Sequence, residues 1–147
     1  MSAPRPFTVL VGVDGSAPAV DAVQFAMTVC AGAGKARLHL CTVLLPMQEE
    51  MVLHDTSARP ARALGAPFAE VPRLQSMPTS AETLAEVLHG DPAEELVRRA
   101  AEVRADLIVL GSRRTGPLRD LLAGSLVLRV LDSAPCAVVI TPAPLAS

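Results

Sequence analysis

Thr8-Val9-Leu10-Val11-Gly12-Val13 (TVLVGV), followed at once by Asp14-Gly15-Ser16 and then by Ala17–Cys30, decides the fold class of this 147-residue chain. The run is short, apolar and rich in β-branched residues. Such runs are expected where a strand is covered on both faces, as in a parallel sheet. Behind it the period changes. Val20, Val23, Ala26, Met27 and Cys30 fall on one face of a helix, with Ser16 as N-cap and Gly32 and Gly34 as stop signals. A strand feeding a helix through a tight polar turn is the opening of an α/β unit.

Working outward, the same kind of run recurs at Leu38–Leu45 (LHLCTVLL), Asp106–Leu110 (DLIVL) and Ala137–Ile140 (AVVI). Glu82–Leu88 (ETLAEVL) is a weaker candidate whose period fits strand or helix. Asp91–Val103 carries a clear helix start: Asp91 as N-cap, Pro92 at the first helical position and Glu94 at the capping-box site. Leu96, Val97, Ala100 and Val103 form its buried stripe. Ser125–Leu131 has Leu126, Val127, Val130 and Leu131 at helical spacing, and Pro135 limits its extension. This alternation predicts one α/β domain over residues 1–147, a parallel sheet with helices on both faces. Residues 46–80 contain Pro46, Pro60, Pro67, Pro72 and Pro78 and are expected to form a long, irregular, mobile connection, with short helical pieces around Gln48–His54 and Ala58–Leu64.

Composition narrows the function classes. A formal net charge of −2 lacks the concentrated basic face that a polyanion demands. With three Phe and neither Tyr nor Trp, base-stacking platforms lack their usual material, so nucleic acid is not an expected partner. Cys30, Cys41 and Cys136 show no CxxC spacing and read as reduced, buried thiols. His39, His54 and His89 share no helix-spaced pair, which argues against zinc. The Phe7–Val13 run is too short for a membrane span and lacks the flanks of a signal peptide, so a soluble, cytoplasmic chain is expected.

Two segments have the chemistry of a ligand site. In open parallel sheets, ligands bind beyond the carboxyl ends of the strands, where the strand order reverses. Val13-Asp14-Gly15-Ser16 follows the first strand, and Asp14 can accept hydrogen bonds from ribose hydroxyls there. Gly111-Ser112-Arg113-Arg114-Thr115-Gly116 follows DLIVL and leads on to Gly124-Ser125. Its glycines would let backbone approach a phosphate. The free N–H groups of a helix starting at Gly124 and Ser125 would attract negative charge, and Arg113 and Arg114 would add positive charge. The same residues also suit plain structural work. Gly111 and Gly116 permit turns, Ser125 caps a helix, and Asp14 caps the helix that follows it.

Taken together, VGVDGS, HGDPAEEL, ADLIVLGS, LLAGSL and PCAVVITP resemble, in this order, the universal stress protein family, over nearly the whole chain except residues 46–80. The resemblance implies a Rossmann-like three-layer domain with a five-stranded parallel sheet of order 3-2-1-4-5. It also implies a homodimer paired through the strand near Ala137–Ile140. Nucleotide-binding members carry G-x-x-G-x9-G-[ST]. Gly111 and Gly124-Ser125 match with the spacing preserved, while Arg114 stands at the second glycine. That departure puts a side chain where the family brings phosphate against bare backbone. The resemblance further implies ribose contact at Asp14, adenine contact by backbone near Val43, and ATP or AMP, with Mg, as ligand.

Two functions follow from it: a homodimeric, adenine-nucleotide-linked regulator of the stress response, or a nucleotide-free interaction protein of the same fold whose phosphate site is closed by Arg114. Catalysis beyond slow ATP hydrolysis is not expected. The single lysine, Lys35, precedes Ala36, so no Walker A loop exists, and Gly12 and Gly15 lack the dinucleotide spacing. No residue is an evident general base.

Overall fold

The computed structural model describes residues 4–13, 17–44, 81–111 and 119–141. They run β1 (Phe7–Gly12), α1 (Ala17–Gly32), β2 (Ala36–Leu44), β3 (Ala81–His89), α2 (Pro92–Glu102), β4 (Leu107–Gly111), α3 (Arg119–Ser133) and β5 (Ala137–Thr141). All five strands are parallel, in the order β3-β2-β1-β4-β5. The expected sheet and its order are therefore observed. The expected irregular connection, residues 46–80, lies outside the described residues.

Alternation along the strands divides the core into two layers. Val9, Val11, Leu38, Leu40, Leu107 and Val109 point to one face, where Ala22, Val23, Ala26, Met27 and Cys30 of α1 cover them. Leu10, Cys41, Leu88, Ile108 and Leu110 point to the other, beneath Ala93, Leu96 and Ala100 of α2 and Val130 of α3. Gly12 is a close approach in that second layer. A Cβ there would stand 3.0 Å from Leu110 Cδ2 and 3.4 Å from Leu96 Cδ1.

β3 settles the ambiguous Glu82–Leu88 segment as an edge strand in register with β2 from Ala36↔Ala81 to Leu44↔His89. Its periodicity was poor because its carboxylates are held by neighbours rather than by water alone. Arg37 Nε donates to Glu82 Oε2 across the pair (2.9 Å), and Glu86 is held from β2 and α2. Pairing with a central strand overrides local preference.

α2 begins as its cap residues predict. Gly90 turns with φ 132° and donates its N–H to Leu44 O (3.0 Å). Asp91 then accepts from Glu94 N (3.0 Å), with Pro92 at the first turn. The reciprocal half of the capping box is replaced, since the Glu94 carboxylate lies 3.9 Å from Arg129 instead. At the far end, Arg104 takes the left-handed conformation (φ 54°), and Ala105 N and Arg104 N donate to Ala100 O and Ala101 O. This is the Schellman closure, with arginine where glycine is usual. At the amino edge of the sheet, Asp106 ties β1 to β4. Its carboxylate accepts from Thr8 N (2.9 Å) and from Arg5, and its own N–H donates to Thr8 O (2.7 Å). No helix among the described residues is long and apolar enough to cross a membrane.

Candidate functional site

Strand order fixes where a crevice must open. β2 and β3 lie on one side of β1, while β4 and β5 lie on the other, so the chain reverses direction between β1 and β4. The carboxyl ends of those two strands flank the switch point at which open α/β sheets take ligands.

Three residues of the expected site stand on this rim. Val13 follows β1, is buried, and donates its N–H to Cys41 O (2.8 Å), which extends the β1–β2 ladder by one step. Val43, paired with Leu88, is half-buried near the end of β2. Gly111 ends β4 opposite Thr141, whose hydroxyl donates to Leu110 O (3.4 Å). The topology thus brings the ends of the three central strands together. Asp14, Gly15, Ser16, Ser112, Arg113, Arg114 and Gly116 lie outside the described residues.

Gly124 and Ser125 require a correction. They were expected to open the last helix and offer free N–H groups, but α3 starts at Arg119, so both positions fall inside it. Only the first four N–H groups of a helix lack partners. Those of the sixth and seventh residues are committed to carbonyls one turn back. The cause is local. Arg119-Asp120-Leu121-Leu122-Ala123 contains good helix formers, and a single interior glycine, at about 1 kcal/mol, does not stop the helix.

Two polar clusters were not legible in the sequence. The first is an ion pair between helices. Arg129 Nη1 and Nη2 donate to Asp91 Oδ1 (2.9 Å) and Oδ2 (2.8 Å). With the Glu94 N–H added, these bonds hold the Asp91 carboxyl below its usual range. The HGDPAEEL stretch announced Asp91 as a cap, but nothing in it pointed to a partner 38 residues away.

The second cluster lies under α2. Arg99 Nε and Nη2 donate to Glu86 Oε2 (2.7 Å) and Oε1 (2.8 Å), His39 Nδ1 sits 2.8 Å from Oε1, and Cys41 Sγ lies 3.7 Å from Oε2. Arg99 first, and His39 after it, hold the Glu86 carboxyl down to about 2 against the opposing effect of burial. The Cys41 thiol is pushed up to about 12 by burial, with Glu86 beside it adding to the effect, which disfavours the reactive thiolate. His39 is 3% exposed, and its Nε2 has no hydrogen-bond partner among the described residues. No group of His, Cys, Asp and Glu among the described residues has the geometry to hold a metal ion.

Comparison with known proteins places this architecture. A sequence profile described as the Universal stress protein family matches residues 7–142. A Thermus aquaticus protein, the universal stress protein in the QAH/OAS sulfhydrylase 3′ region, is 31% identical over 136 residues. That alignment spans 90% of this chain and 96% of the relative. Among solved structures, universal stress protein UspA from Lactobacillus plantarum superposes with a TM-score of 0.71 at 27% identity, covering 94% of this chain and 99% of that one. A universal stress protein in complex with cAMP gives a TM-score of 0.64 at 29% identity, covering 91% and 95%.

Proposed function

The chain belongs to the universal stress protein family, and from that premise we propose that it is a homodimeric regulator of the stress response that binds ATP, with Mg²⁺, or AMP. The observation that carries the reading is the meeting of Val13, Val43 and Gly111 on the carboxyl rim beside the β1–β4 switch point. It is supported by the relative of 29% identity that was solved with cAMP.

In this reading, backbone near Val43 meets adenine and Asp14 takes the ribose hydroxyls. The loop holding Gly111, Ser112, Arg113, Arg114 and Gly116 meets the phosphates, with Gly15 and Ser16 closing the turn after β1. Ser125 contributes its hydroxyl. Because the N–H groups of Gly124 and Ser125 are committed within α3, phosphate binding leans more on Arg113 and Arg114 than the family motif would require. The reaction class is binding, and the occupied state is the signal.

The second reading, a nucleotide-free interaction protein, is favoured by Arg114 at the motif's second glycine. The two are separated by thermal melting with added ATP or AMP. A ligand at a hundred times its Kd stabilises the folded state by about 2.7 kcal/mol. The binding reading expects a rise in Tm that Asp14→Ala and Ser125→Ala diminish. An unchanged Tm at millimolar nucleotide, with binding gained in Arg114→Gly, is the result that favours the interaction protein.

A further inference from the structure

The HGDPAEEL stretch has no part in the site just described, yet its Asp91 holds a residue of the helix that does. Asp91 stands where the chain leaves β3, on the same rim as Val43, and Gly90 is bonded there to Leu44 O. It receives both Nη atoms of Arg129 while also capping α2 through Glu94 N. Arg129 lies four residues, about one turn, beyond Ser125 on α3. Toward that end α3 rests on the core through Val130, which is fully buried, and through the half-buried Leu126 and Val127, while Leu128 and Leu131 face solvent. Apolar packing of this kind is non-directional, and a two-pronged ion pair adds a contact of fixed geometry that resists rotation about the helix axis.

We propose that the Arg129–Asp91 pair is a positioning contact for the candidate site. It sets the height and rotation of α3, and hence of Gly124 and Ser125, against the β2–β3 side of the crevice. The proposal rests on the nucleotide reading and assigns a role within it. In the absence of the pair, bound phosphate must supply the ordering that the pair now supplies. The loss in affinity is therefore bounded by what such a half-exposed pair is worth, about five-fold.

The test is isothermal titration of the full chain and of Arg129→Gln with ATP and with adenosine, at a temperature where both are folded. Arg98→Gln, which breaks ion pairs with Glu95 and Glu102 on the outer face of α2, serves as control. Asp91 itself is a poorer probe because it also caps α2. The expected result is ATP binding weakened about five-fold in Arg129→Gln, with adenosine binding unchanged and both ligands unaffected in Arg98→Gln. Amide hydrogen exchange without ligand should show residues 124–128 exchanging faster in Arg129→Gln alone. Equal ATP affinity, or unaltered exchange at those amides, overturns the positioning role. Failure of the native chain to bind either ligand overturns the site reading itself, and is told apart by that first titration.

Discussion

Glu86, on the edge strand, accepts from Arg99 twice, from His39 and, weakly, from Cys41. Its folded-state carboxyl is depressed to about 2, against roughly 4.3 for an ordinary glutamate. A depressed carboxyl contributes stability that is fully present above the ordinary value and is lost as pH falls toward the folded value. Thermal melts should therefore show Tm dropping between about pH 5 and pH 2, with Glu86→Gln giving a flatter profile there. At neutral pH the same variant should be destabilised by about 1–3 kcal/mol, since Arg99 and His39 lose their shared acceptor. A Glu86→Gln profile parallel to that of the native chain would contradict this account. None of it was visible in the sequence, because a helix/strand ambiguity at 82–88 hid which face Glu86 would take and which side chains it would meet.

At the scale of elements, the strands were legible wherever both faces are covered. TVLVGV and DLIVL read as strands because their apolar side chains are covered on both faces, and Val9, Val11, Ile108 and Val109 are fully buried. The start of α2 was legible for a different reason: Asp91-Pro92 is local cap chemistry, complete within four residues. The start of α3 was misplaced because Gly124-Ser125 imitates a cap while the preceding five residues favour helix. The end of α2 was read at Val103, which is its C-cap, but the closure by Arg104 in a conformation that glycine usually takes was not legible. That residue invites a test. Its left-handed backbone costs an L-residue about 1–2 kcal/mol, part of which glycine returns as unfolded-state entropy. Arg104→Gly should raise stability by about 0.5–1 kcal/mol in urea unfolding. A loss of stability would mean that the Arg104 side chain does more than the structure gives it to do.

At the scale of the molecule, the sheet among the described residues ends on one side with β5, where Val138, Val139 and Ile140 are half-buried, and α3 exposes Leu128 (65%) and Leu131 (49%). A strand edge that no described residue pairs is the situation that pairing with another chain relieves. The proposed homodimer through β5 predicts twice the chain mass in sedimentation equilibrium. Val139→Lys should then shift it to the single-chain mass with its helix content kept. A native chain that sediments as one copy at all concentrations would count against that arrangement. For the site, the sequence located the rim through the strand ends, which follow from topology. It could not supply the helix register or the Asp91–Arg129 contact, which depend on how two distant helices pack.

Adenine-nucleotide occupancy is the claim on which the functional account turns, and native mass spectrometry of the purified chain addresses it most directly. The account predicts a species heavier by one AMP or ATP per chain, either as purified or on addition of nucleotide, and its loss in Asp14→Ala. A chain that keeps its bare mass in millimolar ATP and AMP would contradict it.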